Sequence, residues 1–169
     1  MSKAFTSEET PDDPIVVPPR APLPAGVPNY VTARGLELLR TELSMLEHER
    51  SALTATTENT DRSRKLALNA ARTSALGERI ASAQLVDPRR QSHDEVRFGA
   101  TVTLLHEDGT TARWTIVGVD EADPAHGRIA FLAPLARALT GLQTGDIGKL
   151  HTTNGEEALE VVAIDYEGG

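Results

Sequence analysis

The sequence has no cysteine and few aromatic side chains, and both absences limit what the chain does. Without cysteine there are no disulfides, no thiol chemistry and no Cys-ligated metal sites, and a cytoplasmic setting is the simplest expectation. Aromatic residues make up 4% of the chain, too few for a protein whose main task is to stack single-stranded bases. No apolar run approaches the ~20 residues of a membrane helix, and the N-terminus has no signal-peptide hydrophobic region.

The charge is distributed unevenly along the chain. Residues 1–90 carry 12 Lys or Arg and 12 Asp or Glu, whereas residues 91–169 carry 5 and 13, which is the whole net charge of −8. Tight binding to the phosphates of duplex DNA requires clustered Lys and Arg, and an acidic domain would be repelled by them. Tight direct DNA binding is therefore not expected. An acidic C-terminal domain suits a basic protein surface better.

Residues 1–28 are rich in proline, with seven of the ten prolines of the chain. Proline lacks a backbone donor and favours extended geometry, so this segment is predicted to be a disordered tail. A solvated leader without a task and a docking peptide for a partner are both open interpretations.

A helical hairpin is predicted for residues 29–90. Thr32 is a suitable N-cap because its hydroxyl can accept a hydrogen bond from a first-turn amide. Leucines then recur at intervals typical of a coiled-coil seam, which Arg50 interrupts. They are Leu36, Leu39, Leu43, Leu46 and Leu53.

A second, weaker seam follows the bend and is predicted to end at Asp87, because Pro88 disfavours helical geometry in the residue before it. Its positions are Leu66, Thr73, Leu76, Ile80 and Ala83, with Asn69 at a core-like position. Two arms of ~20 residues that pack on each other make an antiparallel finger roughly 30 Å long.

From Val96 the apolar period changes to two, which predicts strands. Residues 101–105 and 112–119 flank an Asp108-Gly109 turn, residues 128–132 form a third strand, and residues 147–152 and 158–164 form a closing hairpin. Pro134 opens a short helix over residues 134–139. Residues 91–169 are therefore predicted to be a small α+β domain with an antiparallel sheet and one short helix.

The order and spacing of several landmarks resemble the GreA/GreB family of bacterial transcript cleavage factors over residues ~29–168. The landmarks are Phe98-Gly99-Ala100, Asp108-Gly109, Ile116-Val117-Gly118-Val119-Asp120-Glu121, Ala133-Pro134-Leu135-Ala136-Arg137-Ala138-Leu139, Thr144-Gly145-Asp146 and Ala163-Ile164-Asp165-Tyr166. The start of the hairpin, Tyr30-Val31-Thr32-Ala33-Arg34-Gly35, also resembles the family's coiled coil.

The resemblance implies a partner and a mode of docking. The family's C-terminal domain has an FK506-binding-protein-like fold and docks on the β′ subunit of RNA polymerase, and its coiled coil enters the secondary channel. For this chain that implies docking through the turn at Asp120 and Glu121 and through Ala133, Pro134, Leu135, Ala136 and Arg137, with Ala133 in place of the family's usual serine. The polymerase is the enzyme in this family, so the chain is expected not to be one.

The hairpin tip differs from the family pattern, in which two carboxylates three residues apart help to hold the second catalytic Mg²⁺. Glu58 and Asp61 are three apart, but in the reverse order. Carboxylates are ligands that Mg²⁺ prefers, so this pair is the candidate metal site, with no cofactor expected beyond a Mg²⁺ shared in the polymerase active site. The same two acids are also typical of a solvated loop, an interpretation favoured by how common isolated acids in turns are, with Asp61 as a cap of the second helix.

The arms are also shorter than those of familiar members by about one heptad, which removes ~10 Å of reach; the related regulator Rnk also has a short hairpin. These departures favour a polymerase-binding regulator of elongation without strong cleavage stimulation. A true cleavage factor that uses Glu58 and Asp61, and an antagonist that occupies the channel, remain alternatives.

Cations at the start of the second arm form a predicted basic patch, which would contact RNA phosphates or an acidic channel wall. They are Arg62, Arg64, Lys65 and Arg72. An ordinary solvated helix face is the other interpretation.

The FK506-binding-protein-like fold also raises prolyl isomerase activity as an enzyme alternative. Such sites are aromatic-lined, and the aromatic residues of this domain are predicted to lie at strand positions and pack in the core. They are Phe98, Trp114, Phe131 and Tyr166. A hairpin that pairs with itself needs no second chain, so a monomer is expected.

Overall fold

Two long helices and a five-stranded sheet make up the computed structural model, which describes residues 20–167. The predicted α+β architecture, a helical hairpin followed by a mostly antiparallel sheet domain, is confirmed. In chain order the elements are β1 (Asn29–Val31), α1 (Ala33–Ala55), α2 (Thr60–Ser82), β2 (Ala83–Leu85), β3 (Ala100–His106), β4 (Thr111–Val117), β5 (Arg128–Ala130), α3 (Pro134–Leu139), β6 (Ile147–Thr152) and β7 (Gly155–Tyr166).

The hairpin is held by the seam that the leucine spacing predicts. Thr32 caps α1, and its hydroxyl accepts from the Gly35 amide at 2.9 Å. Leu39, Leu46 and Leu76 are buried between the helices, since residues three or four apart share one helix face. Each helix has 23 residues, so each arm is about 34 Å long.

Asn69 lies inside the helix pair, as its seam position predicts. It is buried, and its amide donates to the Leu46 carbonyl and to the Glu49 carboxylate, both at 2.9 Å. Beyond Leu46 on α1 and Asn69 on α2, none of the described hairpin residues toward the tip is buried. The outer half of the finger therefore has little apolar burial to stabilise it.

The base of the hairpin contains a strand pair that the sequence patterns do not predict. β1 and β2 pair in parallel, with Asn29 opposite Ala83 and Val31 opposite Leu85. Consequently α2 ends at Ser82 rather than at Asp87. Three-residue strands are too short for alternation to be visible, and parallel pairing joins segments about fifty residues apart.

The sheet has the strand order β5-β4-β3-β7-β6. The two predicted hairpins, β3 with β4 and β6 with β7, are present and antiparallel. One edge of this mostly antiparallel sheet departs from the predicted pairing: β5 pairs with β4 in parallel, because residues 118–127 cross back before β5 begins. The core of this domain includes Val102, Leu104 and Leu139.

The proline-rich segment is only partly within the described residues, because residues 1–19 lie outside them. Residues 20–28 differ from the predicted disordered tail: they lie along the base of the hairpin. The Arg20 guanidinium donates to both carboxylate oxygens of Glu42, at 2.6 and 2.5 Å, and to Asp120. Ala21 accepts a hydrogen bond from Arg79. Charge pairing that involves distant residues orders this stretch, which its proline content alone does not indicate.

Among residues 20–167, no helix combines the length and the apolar character that crossing a membrane requires.

Candidate functional site

The hairpin tip is a short connection, residues 56–59, with both helix ends satisfied by hydrogen bonds. The Thr56 hydroxyl donates to the Leu53 carbonyl at 2.7 Å at the end of α1. Asn59 caps α2, and its side chain accepts from the Arg62 amide at 2.7 Å. The cap is therefore Asn59, and Asp61 lies in the first turn rather than capping the helix.

Arg62 closes the tip by reaching back to the other helix. Its Nε donates to the Leu53 carbonyl at 2.9 Å, and its Nη2 donates to the Thr54 carbonyl at 3.3 Å. The last carbonyls of a helix have no partners within the helix, so a cation there satisfies them and favours the negative end of the helix dipole. This structural role was not apparent from the sequence.

The two candidate metal ligands are both exposed at the tip. Asp61 forms an i, i+4 ion pair with Lys65, with 2.8 Å between Oδ2 and Nζ. That hydrogen bond, together with the charge of Lys65, lowers the pKa of the Asp61 carboxyl. Among residues 20–167 no three His, Asp or Glu side chains are grouped so as to hold a metal ion, and a contribution of Glu58 and Asp61 to a shared Mg²⁺ stays a prediction.

The four cations of the predicted basic patch have different surroundings. Arg62 binds the end of α1, and Lys65 is paired with Asp61. Arg64 is exposed, and Arg72 lines a shallow groove beside Glu42 and Glu49. Arg62 and Lys65 are thus engaged within the hairpin, and contact of the patch with RNA stays a prediction.

The turn predicted to dock a partner has its side chains turned into the protein. The Glu121 side chain is 3% exposed; it accepts hydrogen bonds from the Thr32 hydroxyl and forms an ion pair with Arg34, with 3.5 Å between Nη1 of Arg34 and Oε2 of Glu121. Asp120 is paired with Arg20 and with Arg79. These two carboxylates therefore join the C-terminal domain to the hairpin, and docking of a partner at this turn stays a prediction.

The second predicted docking segment is the short helix α3. Ala133 is its N-cap residue and makes no side-chain cap, because it lacks a hydroxyl. Pro134 and Arg137 are exposed, Leu135 is half-buried, and Ala136 is buried against the sheet. One face of α3 thus anchors the helix while Pro134 and Arg137 face outward.

Beside α3 lies a cleft of about 630 Å³ whose walls include three aromatic rings. The Tyr30 ring centroid is 5.7 Å from that of Phe98 and 5.6 Å from that of Phe131, and the two Phe rings are 5.6 Å apart. The prediction that Phe98 and Phe131 occupy strands is wrong, since both lie in turns and are only half-buried. Tyr166, by contrast, lies in β7 and is buried in the core.

The comparisons with known proteins point to one family. Residues 91–166 match the family described as "Transcription elongation factor, GreA/GreB, C-term". The chain is 35% identical over 153 residues to transcription elongation factor GreB of Neisseria meningitidis serogroup B, covering 82% of this chain and 94% of that protein. It is 34% identical over 152 residues to transcription elongation factor GreA of Rickettsia conorii, covering 81% and 94%.

Solved structures with similarity to the chain carry related names. GreA factor homolog 1 (Gfh1) of Thermus thermophilus is 21% identical, with 82% of this chain and 99% of that chain covered and a TM-score of 0.39. A GreA/GreB elongation factor from Nitrosomonas europaea is 22% identical, with 83% and 99% covered and a TM-score of 0.41.

Proposed function

Because this chain belongs to the GreA/GreB family of transcription elongation factors, we propose that it binds RNA polymerase with its C-terminal domain, on the β′ subunit, and places its helical hairpin in the secondary channel. It modulates elongation there without strongly stimulating RNA cleavage. This role requires the chain to act in the cytoplasm, where the polymerase works. The chain acts on the polymerase as a factor and is not itself the enzyme.

The observation that carries this proposal is the joint between the hairpin and the C-terminal domain. Glu121 binds the N-cap residue of α1, and Asp120 pairs with Arg79 near the end of α2. A Cβ at Gly118 would lie 2.5 Å from the Tyr30 carbonyl oxygen, so β1 passes directly against the backbone after β4. A finger held at its base in this way keeps its direction when the C-terminal domain docks.

The tip supports modulation more than strong cleavage. A carboxylate that coordinates Mg²⁺ must come within ~2 Å of the ion, and Asp61 is engaged by Lys65. Glu58 is the other acid of the tip. The residues present do not fit a metal site of their own, so this chain contributes at most a carboxylate to an ion that the polymerase holds.

The proposal is tested by binding and cleavage measured on the same complex. The chain is mixed with purified RNA polymerase in a pull-down, and its effect on a backtracked elongation complex is followed in Mg²⁺ by the length of the RNA. We expect binding without robust shortening. Thr57→Ala, at an exposed tip position between the helices, is the control for Glu58→Ala and Asp61→Ala.

Each outcome selects one function. Shortening that Glu58→Ala and Asp61→Ala abolish, and Thr57→Ala does not, replaces this proposal with a true cleavage factor. Binding that only displaces a cleavage-competent GreA or GreB, with no effect on elongation by itself, identifies an antagonist. Absence of binding overturns the proposal.

A further inference from the structure

The cleft beside α3 has the surface character of a peptide site. Three aromatic rings, Tyr30, Phe98 and Phe131, are each half-buried and packed at centroid distances of 5.6–5.7 Å. Its volume of about 630 Å³ is in the usual range of ligand sites, roughly 300–1,000 Å³. Aromatic-lined grooves are the surfaces on which proline-rich segments bind.

The cleft is also cationic, within the half of the chain that carries the net negative charge. Arg97 and Arg137 line it, and no Asp or Glu is among the described residues of its lining. Arg97 has an ion pair with Glu95, outside the lining. Arg137 is exposed and forms no ion pair with any residue of the described range 20–167. The cleft thus combines ring faces with guanidinium groups, which bind carboxylates by charge-assisted hydrogen bonds.

The N-terminal sequence has the complementary composition. Residues 1–19 contain four prolines and four carboxylates against a single lysine, Lys3. The prolines are Pro11, Pro14, Pro18 and Pro19, and the carboxylates are Glu8, Glu9, Asp12 and Asp13. Acids and prolines are interspersed, so one short stretch presents both kinds of group.

Arg20, the residue to which this segment is joined, is close to the cleft. Arg20 is bound to Asp120, which is four residues after Ile116 in the cleft wall. Four residues span at most about 14 Å, and nineteen residues span up to about 60 Å. The segment therefore has ample length to reach Tyr30, Phe98 and both arginines.

We propose that residues 1–19 bind this cleft in the same chain, with prolines against the aromatic rings and carboxylates on Arg97 and Arg137. The tether raises the effective concentration of the segment at the cleft, so even a weak contact is populated. The N-terminal extension is then an internal ligand of the C-terminal domain. Because Arg137 is part of the docking segment, and insofar as the proposed function holds, this ligand competes with the polymerase for the same surface.

A paramagnetic label on the full-length chain tests this contact. The sequence contains no cysteine, so Thr10→Cys gives a single site for a nitroxide, between Glu9 and Pro11. We expect backbone amide signals at the cleft, such as those of Gln91, Phe98 and Thr140, to lose most of their intensity. The signal of Gly155, the first residue of β7, is the internal reference.

Charge variants identify the partner of the labelled segment. Arg97→Glu with Arg137→Glu should restore the cleft signals, whereas Arg40→Glu with Arg113→Glu, the same charge change at two other exposed positions, should not. Combining the cleft variant with Glu8→Lys, Glu9→Lys, Asp12→Lys and Asp13→Lys should bring the losses back. Added salt screens charges, so it should weaken the contact in the labelled protein that carries no charge substitution. This test does not depend on the folding of a charge variant.

Three results overturn the inference: no loss of cleft signals, a loss that survives the cleft charge reversal, or a loss that appears equally when labelled and isotope-enriched chains are separate molecules. The last would mean that the segment binds a second copy. These measurements use no polymerase, so they fail or succeed independently of the proposed function. Competition with the polymerase is measured separately. If the segment competes, polymerase binding should become stronger when Glu8→Lys, Glu9→Lys, Asp12→Lys and Asp13→Lys are combined.

Discussion

Arg79 of α2 and Asp120 of the C-terminal domain form an ion pair across the base of the hairpin, with 3.5 Å between Nε and Oδ2. Their side chains are 8% and 12% exposed. Arg20 supplies a second cation to Asp120 and also binds Glu42 of α1. Asp120 therefore joins the sheet domain to α2 through Arg79 and to the segment that precedes β1 through Arg20, which in turn binds α1.

Removal of this carboxylate should destabilise the protein strongly. Asp120→Ala leaves the buried Arg79 guanidinium without its counter-charge, and breaking a buried pair in this way costs about 3–5 kcal/mol. The measurement is the free energy of unfolding in denaturant. Asp165→Ala, which breaks the exposed pair with Arg113 (3.6 Å), should cost less than about 1 kcal/mol. Equal losses in the two variants would contradict a special role for Asp120.

Two glycines should respond in opposite directions to replacement by alanine. A Cβ at Gly118 would meet the Tyr30 carbonyl oxygen at 2.5 Å, and because this neighbour is backbone it cannot rotate away; we expect a loss of about 1–3 kcal/mol, typical of overpacking. A Cβ at Gly77, within α2, meets nothing within 4 Å, so Gly77→Ala should add roughly 0.5–1 kcal/mol. Thermal unfolding of both variants checks the signs.

Lys65 should control the titration of Asp61. Its hydrogen bond and charge lower the pKa of the carboxyl below the ordinary 3.8, so this pairing stabilises the fold at pH values above 3.8 and is lost as the pH falls through the lowered pKa. Lys65→Met should raise the pKa toward 3.8, as measured by carboxyl ¹³C NMR. Lys149→Met, at a distant exposed lysine, should leave the pKa of the Asp61 carboxyl unchanged.

Tyr166 should make stability depend on alkaline pH. Its hydroxyl donates to the Glu95 carbonyl at 2.7 Å and accepts from the Arg97 amide at 3.0 Å, and burial raises the pKa of the phenol above 10.0. The unfolded chain then loses this proton first, so the stabilisation is complete below pH 10.0 and falls as the pH rises through the raised pKa.

Tyr166→Phe should remove that alkaline dependence and cost about 1 kcal/mol at neutral pH through the lost hydrogen bonds. Unfolding in denaturant at several pH values on both sides of 10.0 is the measurement. Tyr30→Phe, at the only other tyrosine of the sequence, is the control. An unchanged pH profile in Tyr166→Phe would show that another group titrates.

Most of the secondary structure follows from local patterns in the sequence. The leucine spacing around Leu39 and Leu46 predicts α1 and its buried face, and Thr32 marks where the helix begins. Pro134 predicts the start of α3, and both sheet hairpins follow from alternating apolar residues around short turns. These patterns extend over only a few residues, so they predict helices and strands without any information about tertiary contacts.

The functional surfaces were less predictable, because contacts between distant residues define them. Asp120 and Glu121 have the pattern of exposed turn acids, yet Thr32, Arg79 and Arg20 reach them from other parts of the chain. Arg62 was expected in a basic patch, but it satisfies the end of α1. No spacing rule signals such partners, since the cost of burying a charge depends on which groups the fold brings to it.

By itself, the sequence determined a helical finger, a small sheet domain with one short helix, and the landmarks by which its family is identified. Only the tertiary structure decided how the finger is fixed to the sheet, which carboxylates stay exposed, and that Tyr30, Phe98 and Phe131 form one cleft. The reason is physical: helix and strand patterns are set by hydrophobic period and backbone preference within a segment. Whether a charge or a ring is exposed is set by side chains that are neighbours in space and not in sequence.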